Sequence, residues 1–368
     1  MDFKVVGRTT DGFFRYQAWP TVTKDDNGVL YAAASGHRLG HVCPFGKDLL
    51  YISRDEGESW EGPIIINDTY MDDRDAGLYA WGDGNLILTW FSLMKEKFDE
   101  REERTPLLRE PLAKAARAMW ETLPAGQYNP GAFMKVSHDG GKTWGEQLRV
   151  PVTSPHGPII KKDGSWFFFG KVYLCPDETF PNRQICAIES RDEGKTWQLL
   201  GVVDLPEVDP AIAPEGGVNE THVHEPHAIE LPDGTILGAV RISGFGGHAQ
   251  NMIYTTRSED GGLTWSKPEV LDLVGCPPHL LLHSSGAVVM TYSTRVEPHT
   301  QRAKISWDGG LTWGEEIIVA PPSPDWDHGY PSTVELSDGS LLTVYYQKYP
   351  GDSYNSILSS RWELPAKE

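Results

Sequence analysis

The sequence predicts an all-β protein, a six-bladed β-propeller closed by its own termini, and two repeated patterns carry this prediction. The first is a turn motif, S-x-D-x-G-x-[ST]-W, which occurs five times and begins at Ser53, Ser137, Ser190, Ser258 and Ser306. The second is a pair of apolar segments joined by a tight turn of the Asp-Gly or Asn-Gly type. Composition agrees, because 38 Gly, 27 Pro and 13 Trp among 368 residues indicate many turns and aromatic-rich strands. We interpret residues 1–368 as a single propeller domain.

The turn motif is suited to a hairpin between two strands. Each copy follows a β-prone segment (DLLYIS, FMKVS, ICAIES, MIYTTRS and AKIS) and precedes another. Within it, Asp can accept hydrogen bonds from nearby backbone amides, Gly can adopt a positive φ, and Trp can pack beneath the turn. We therefore expect each copy to join the third and fourth strands of a blade.

Six apolar hairpins supply the first two strands of the blades, near residues 19–36, 76–92, 156–171, 225–241, 278–295 and 330–346. The last hairpin is followed by a third strand, NSILSSRW, but by no turn motif. The N-terminal segment FKVVGR is predicted to supply the missing outer strand and so to close the ring.

One segment departs from the repeats. Residues 94–124 are charged and rich in Ala, Leu, Arg and Glu, which predicts a helical insertion between the second and third strands of blade two. Strand order places this insertion over the axial face at which the first strands begin, hereafter the mouth. A lid over the site, a contact in a homo-oligomer and a solvated decoration all fit the pattern.

The charge balance excludes some partners. With 52 Asp+Glu against 33 Lys+Arg, the formal net charge is −19, which disfavours binding to nucleic acid or to anionic membranes. No apolar run approaches 18 residues, and the first residues lack the apolar stretch of a secretory signal. We expect a cytoplasmic protein with neither nucleic-acid nor membrane partners.

Polar side chains occur wherever a first strand begins or a second strand ends, and these positions converge at the mouth. Contact with water alone would also make such a rim polar, and a single histidine there is more often a hydrogen-bonded structural residue than a catalyst. The positions are Trp19, His37, Arg38, Asp73, Arg74, Asp75, His156, Lys171, His224, Glu225, His227, Arg241, His279, Arg295, His328, Tyr330 and Lys348.

The turn motif has the residues of the Asp box, and the chain resembles the sialidase (neuraminidase) superfamily over nearly its whole length. In that superfamily a Tyr nucleophile is activated by a Glu, an Asp is the acid/base, and three Arg bind the substrate carboxylate. The resemblance implies that Tyr330, in GYPSTVELSDG, is the nucleophile and that Glu225, in EPHAIELPDG, is its partner. It likewise implies that Arg241 and Arg295 are two of the three arginines, whose forked guanidinium groups match a carboxylate.

Two positions differ from the superfamily pattern. The Arg-Ile-Pro triplet that opens blade one is replaced by Ala18-Trp19-Pro20, so Arg38 is the candidate for the missing arginine. The acid/base Asp is also missing from its expected place, where HRLGHVCPFGKD offers His41, His37 or Asp48; the acidic residues of 73–75 are the other candidates. A histidine can act as a general acid near neutral pH.

The candidate residues fall into two groups. The catalytic candidates are Tyr330, Glu225, His41 and Asp75. The substrate-binding candidates are Trp19, Arg38, Arg74, His156, His227, Arg241, His279 and Arg295.

The favoured prediction is an exo-glycoside hydrolase that releases a terminal acidic sugar, sialic acid or a related 2-keto-3-deoxy sugar, with retention. The mouth arginines would give this acidic protein a local positive patch for a substrate carboxylate. The surplus of histidines and the missing triplet favour an alternative, a polysaccharide lyase or a uronate- or rhamnose-directed glycosidase that uses His and Tyr. A non-catalytic carbohydrate-binding propeller is the third possibility. No local spacing supports a metal site, and no cofactor is predicted.

Overall fold

The computed structural model describes residues 2–93, 110–245 and 250–367, whose strands form six antiparallel sheets. Five sheets have four strands each, and the third has five because its first strand is split. The sheets are the blades of a propeller, and within each of blades one to five the strands pair in chain order. The predicted all-β six-bladed fold is confirmed.

The first three blades follow the N-terminal strand β1 (Lys4–Gly7). Blade one contains β2 (Tyr16–Lys24), β3 (Leu30–Arg38), β4 (Lys47–Ser53) and β5 (Glu61–Asn67). Blade two contains β6 (Asp72–Trp81), β7 (Asn85–Leu93), β8 (Gly131–Ser137) and β9 (Leu148–Val150). Blade three contains β10 (Val152–Thr153), β11 (Ile159–Ile160), β12 (Trp166–Val172), β13 (Ile185–Ser190) and β14 (Gln198–Val202).

The last three blades complete the ring. Blade four contains β15 (Val223–Glu230), β16 (Ile236–Phe245), β17 (Gln250–Ser258) and β18 (Glu269–Val270). Blade five contains β19 (Cys276–Leu282), β20 (Val288–Thr294), β21 (Thr300–Ser306) and β22 (Ile317–Ile318). Blade six contains β23 (Gly329–Glu335), β24 (Leu341–Lys348) and β25 (Asn355–Trp362), with β1 as its outer strand.

The two ends of the chain close the ring in one sheet. Strand β1 pairs antiparallel with β25, so that Val5 lies opposite Leu358. Beside this pair, Arg8 donates two hydrogen bonds of 2.8 and 2.9 Å to the carboxylate of Asp352. The predicted closure by FKVVGR is therefore confirmed.

The five turn motifs share one hydrogen-bond pattern. In the first copy, Ser53 Oγ accepts from the Gly57 amide at 2.8 Å, and Asp55 Oδ1 accepts from the Ser59 amide at 2.9 Å. The same two bonds recur in the other four copies. The motif glycines have φ between 78° and 104°, a region that glycine adopts without steric cost. The Trp side chains pack against the apolar layers between blades, as predicted.

A helix, α1 (Glu110–Thr122), lies in the chain between β7 and β8 of blade two. Residues 94–109 of the predicted insertion lie outside the described residues. Trp120 of α1 is buried, and its Nε1 donates a 2.8 Å hydrogen bond to the Tyr70 carbonyl. Trp120 also packs with Val42 from the loop between β3 and β4. The helix thus supports the loop that carries His41, while a lid or oligomer role remains a prediction.

Across residues 2–93, 110–245 and 250–367, no helix is both long and apolar enough to cross a lipid bilayer.

Candidate active site

In four blades, a non-glycine residue near the start of the first strand has a left-handed backbone conformation. These residues are Trp19, Asp75, Glu225 and Tyr330, with φ values of 54°, 54°, 51° and 53°. Each lies in a β-bulge at which the register of the first two strands shifts. Such conformations cost about 1–3 kcal/mol each and cluster at functional sites, and a bulge re-aims the side chain that it carries. The repeat therefore brings to the mouth one side chain with left-handed backbone from each of four blades.

Tyr330 and Glu225 are in direct contact. Tyr330 Oη donates a 2.5 Å hydrogen bond to Glu225 Oε1, and Arg241 Nη1 donates one of 2.7 Å to Glu225 Oε2. Burial favours the protonated form of Glu225, but the Arg241 charge and the hydrogen bonds from Tyr330 and Arg241 lower its pKa to about 2. The carboxylate is thus ionised and aligned on the phenol.

The phenol itself is kept protonated. Burial raises the pKa of Tyr330 well above its ordinary value, and the charges of Glu225 and Asp75 raise it further. Arg241 and Arg295 act in the opposite direction and lower this pKa. The Arg295 guanidinium lies 6.0 Å from the centre of the Tyr330 ring, so two cations lie beside any negative charge that develops on the phenol oxygen.

Of the two carboxyl groups at these left-handed positions, Asp75 is the one that can carry a proton at neutral pH. It is 7% exposed, and its Oδ1 has no hydrogen-bond partner among the described residues. Burial raises the pKa of Asp75 to about 7, although Arg74 lowers it and Glu225 raises it. A carboxylic acid in this state can donate a proton, as general acids of glycosidases do.

His41 belongs to a second network, whose centre is Asp327. His41 Nδ1 lies 2.9 Å from Asp327 Oδ1, and the hydroxyls of Tyr16 and Tyr346 donate to the same carboxylate at 3.0 and 3.2 Å. Burial lowers the pKa of His41 to about 4 despite its contact with Asp327. His41 is therefore neutral, with Nδ1–H donated to Asp327 and the Nε2 lone pair available as a base.

Asp327 is a site residue that the sequence analysis missed. It lies three positions before Tyr330 in DWDHGY, and this closeness to the nucleophile motif was the available signal.

Trp19 contributes an aromatic surface next to the nucleophile. Its ring centre lies 6.4 Å from that of Tyr330, 6.2 Å from Tyr346 and 5.1 Å from His41. The guanidinium groups of Arg38 and Arg74 lie 4.7 and 4.1 Å from the centre of the same ring. Trp19 is thus held between cations and other aromatic rings.

Arg38, predicted to bind the substrate carboxylate, already has a carboxylate partner within the protein. Its side chain is 0% exposed and donates bonds of 2.5 and 3.2 Å to the two oxygens of Asp72. Arg74, which is 4% exposed, also bonds Asp72 and the His41 carbonyl. Asp72 lies at the start of β6 and supplies the counter-charge of both arginines. The sequence analysis did not predict this pairing.

His156, His227 and His279, predicted to bind substrate, lie together in a buried cluster. Their rings form a cluster with centres 4.7–5.4 Å apart, and the side chains are only 2–7% exposed. His227 and His279 follow the bulges of their strands and lie deeper along the axis than Glu225. With Ile160 and Lys162, the cluster lines a cavity of about 290 Å³ that extends away from the mouth.

The histidine cluster is neutral. Burial lowers the pKa of each ring below the ordinary value. The Leu280 amide donates to His227 Nδ1 at 2.9 Å, and the Thr333 amide donates to His279 Nδ1 at 3.4 Å. These bonds fix the proton of both rings on Nε2, which leaves neither ring a free lone pair for a metal. In the described part of the chain, no group of three or more His, Cys, Asp or Glu side chains could hold a metal ion.

The other acid/base candidates are also accounted for. Asp48 is fully buried, and the burial of Asp48 together with the nearby Asp73 raises its pKa well above the ordinary value. Asp73 accepts hydrogen bonds from Asn67 and Ser92, so it serves the junction of blades one and two. Burial lowers the pKa of His37, and Lys47 lowers it further. None of the described hydrogen bonds links these residues to Tyr330 or Glu225.

The fold and the mouth define a sialidase-like six-bladed propeller with a Tyr–Glu pair at its axis. Residues 127–344 match the BNR repeat-like domain, and the chain belongs to this family. A search of curated protein sequences gives no match.

Solved structures show the same fold. A protein of unknown function from Dyadobacter fermentans is 23% identical, with a TM-score of 0.73 and coverage of 99% of this chain and 98% of that chain. A Hadza microbial sialidase is 16% identical, with a TM-score of 0.65 and coverage of 98% and 68%. An α-L-arabinofuranosidase from Fusarium graminearum is 12% identical, with a TM-score of 0.62 and coverage of 99% and 98%. The fold is therefore shared by proteins named for different sugars.

Proposed function

We propose that the protein is a retaining exo-glycoside hydrolase whose nucleophile is Tyr330. The observation that carries this proposal is the 2.5 Å hydrogen bond from Tyr330 Oη to Glu225 Oε1, between two residues held by left-handed backbone at the mouth. Tyr-nucleophile sialidases are the known exceptions to the two-carboxylate scheme of glycosidases. The sialidase and the arabinofuranosidase among the similar structures support hydrolysis of a glycosidic bond on this scaffold.

In the first step Tyr330 Oη attacks the anomeric carbon, and its proton passes to Glu225. The glycosidic C–O bond breaks, and the leaving oxygen takes the proton of Asp75. Because the pKa of Asp75 is about 7, part of the protein carries this proton at neutral pH. The products of this step are a glycosyl–tyrosine intermediate, in which the anomeric carbon is bonded to the phenol oxygen as in an aryl glycoside, and the free leaving group.

In the second step a water molecule attacks the anomeric carbon of the intermediate. The Asp75 carboxylate accepts a proton from that water, and Tyr330 leaves and regains its proton from Glu225. Two inversions at the same carbon give net retention of configuration. Arg241 and Arg295 stabilise the phenolate character that develops on Tyr330 in both steps.

A second function, a polysaccharide lyase, is favoured by the contact between His41 and Asp327. A neutral His41 with Nδ1–H on Asp327 presents Nε2 as a base that could remove a proton next to a uronate carboxylate. The Tyr330 phenol would then protonate the leaving oxygen. Such a reaction gives an unsaturated sugar, whose ultraviolet absorbance distinguishes it from hydrolysis.

Product analysis tests the proposal and its alternatives. The protein is incubated with an α-sialoside, a Kdo-type glycoside, uronate oligosaccharides and neutral aryl glycosides, and the products are followed by mass and absorbance. We expect free sugar without an absorbance rise, and Tyr330→Phe should abolish turnover while leaving the thermal unfolding midpoint near that of the wild type. Full activity in Tyr330→Phe would remove the nucleophile assignment, and no product from any substrate would favour a carbohydrate-binding propeller.

A labelled intermediate gives a direct test of the nucleophile. A 2-deoxy-2-fluoro glycosyl fluoride of the accepted sugar slows the second step more than departure of its fluoride, so the intermediate accumulates. Peptide mass spectrometry should find the added mass on Tyr330. The same mass on a carboxylate residue would contradict the proposal.

A further inference from the structure

A polar pocket lies where blade six meets blade one, apart from the Tyr330–Glu225 pair. Residues 8–15 connect β1 to β2, and residues 349–354 connect β24 to β25, so both segments lie on the mouth side of the ring. Between them is a cavity of about 160 Å³, lined by residues 8–10 and 15 on one side and by residues 351–354 and 356 on the other, hereafter the junction pocket. One water molecule needs only about 10–15 Å³ of such a volume, so the junction pocket can hold a much larger group.

Two arginines line the junction pocket, and each stacks on a tyrosine of the loop that follows β24. The guanidinium of Arg8 lies 4.0 Å from the centre of the Tyr349 ring. The guanidinium of Arg15 lies 4.2 Å from the centre of the Tyr354 ring. Stacking occupies the face of a guanidinium and leaves the N–H groups in its plane able to donate. The tyrosines therefore orient both guanidinium groups without using their hydrogen-bond donors.

The charges in the junction pocket are not balanced. Arg8 donates through Nε and Nη2 to both oxygens of Asp352, at 2.8 and 2.9 Å. These hydrogen bonds lower the pKa of Asp352, and the charges of Arg8 and Arg15 lower it further, so Asp352 is ionised. Within the described part of the chain, Arg15 forms no ion pair, and it donates a long hydrogen bond of 3.4 Å to the Thr10 carbonyl. Two arginines and one carboxylate leave one positive charge without a counter-ion.

Hydroxyl groups add further donors to the junction pocket. Thr9 Oγ1 accepts a 3.0 Å hydrogen bond from Gln17 Nε2, so its own proton remains to be donated. Ser353 and Ser356 line the opposite side, and none of the described hydrogen bonds uses their hydroxyl groups. Donors therefore face the junction pocket from both of its sides. Such an arrangement suits a tetrahedral group with three terminal oxygens better than a flat carboxylate with two.

We propose that the junction pocket binds a sulfate or phosphate group and that Arg15 supplies the charge that holds it. The planar guanidinium fork matches the oxygens of such groups. The group arrives either as a free ion or as an ester on a sugar, and the two share this chemistry. Neither Tyr330 nor Glu225 lines the junction pocket, so the inference does not rest on the proposed hydrolase.

Calorimetric titration tests this site. The protein is titrated with sulfate, phosphate and acetate at constant ionic strength, because salt screens the attraction. We expect one site for sulfate or phosphate and weaker binding of acetate. Arg15→Gln should weaken this binding by about 10–100-fold, since it removes charged hydrogen bonds. Arg191→Gln, the same change at an exposed arginine of blade three, should leave it unchanged. The inference fails if neither sulfate nor phosphate binds, if Arg15→Gln binds as the wild type does, or if acetate binds as tightly.

A second variant keeps the test valid if the loss of Arg15 weakens the closure of the ring. Ser353→Asp adds a carboxylate to the lining of the junction pocket and leaves the stack of Arg15 on Tyr354 in place. The added charge repels an anion, so we expect binding to be lost while the thermal unfolding midpoint stays near that of the wild type. Unchanged sulfate binding in Ser353→Asp would contradict the inference.

Sugar esters identify the source of the group. Glucose 6-sulfate and glucose 6-phosphate are compared with the free ions and with glucose. An ester that binds more tightly than its ion, with no binding of glucose, supports a sugar-ester site, and an ester that binds equally or more weakly supports a free-ion site. Tyr330→Phe should bind the anion as the wild type does. A failed hydrolase assay would therefore leave the anion site in place, and a failed titration would leave the hydrolase in place.

Discussion

Tyr330 and Glu225 lie 105 positions apart in the chain, yet their side chains meet at 2.5 Å because both occupy the same position of the propeller repeat. Each lies in the bulge near the start of the first strand of its blade, in blade six and in blade four. Two such positions on different blades point their side chains at a common axis, so the pair is a product of the repeat. Asp75 of blade two lies in the equivalent bulge and is the third residue of the proposed catalytic set.

Replacement of Glu225 tests the pair. Glu225→Gln keeps the size of the side chain but removes the base and the charge that Arg241 faces. We expect kcat to fall by about 10²–10⁴-fold, the usual contribution of a general base. The matched control is Glu178→Gln, because Glu178 is exposed and its loss of charge is the same. Equal activities of the two variants would exclude Glu225 from the reaction.

The pH dependence of kcat tests Asp75. Its pKa of about 7 lies above the ordinary carboxyl value, so the proton needed by the leaving group is present below pH 7 and lost above it. Activity on substrates with a poor leaving group should therefore fall as the pH rises through about 7. Glu225 remains ionised across this range because its pKa is about 2.

Asp75→Asn should remove this alkaline fall and lower kcat on poor leaving groups. It should spare kcat/KM for substrates with a 2,4-dinitrophenyl group, which leaves without protonation, while their kcat falls because the second step still needs the Asp75 base. An unchanged alkaline fall in Asp75→Asn would assign it to another residue.

The repeats explain how much the sequence could predict. Five Asp boxes and six hairpins specify blade count, strand order and closure, since these depend on local turn chemistry. The same periodicity placed Tyr330 and Glu225 at equivalent strand starts. The periodicity did not predict that His156, His227 and His279 form one cluster, because that contact depends on the approach of segments from three blades.

Side-chain contacts between distant segments could not be predicted from the sequence either. The buried contact of Arg38 with Asp72 joins the end of the second strand of blade one to the start of blade two, and no spacing rule specifies which arginine is neutralised. Asp327 gathers His41, Tyr16 and Tyr346 from three different strands or loops. Such contacts depend on the three-dimensional approach of segments, which is why neither the Arg38–Asp72 pair nor Asp327 was predicted.

The Arg38–Asp72 pair makes a prediction about stability. Asp72→Asn leaves the fully buried Arg38 guanidinium without its counter-charge. Breaking a buried pair from one side costs about 3–5 kcal/mol, so the free energy of unfolding from urea titration should fall by that amount. Asp338→Asn is the control, because its ion pair with Arg361 is exposed and should change the urea midpoint little. A similar small change for Asp72→Asn would mean that Arg38 finds another partner or water.

Asp327→Asn decides between the two networks at the mouth. In the hydrolase, His41 and Asp327 shape the site but do not react, so we expect KM to rise by about tenfold and kcat to change by less, as when binding alone is weakened. In the lyase, Asp327 fixes the His41 proton on Nδ1, and its loss should lower kcat by about 10²-fold or more because the base is misoriented. The measurement is kcat and KM of the variant on the accepted substrate, with Asp338→Asn, whose ion pair with Arg361 is exposed, as the matched control. A collapse of kcat in Asp327→Asn with KM unchanged would transfer the proton chemistry from Asp75 to His41.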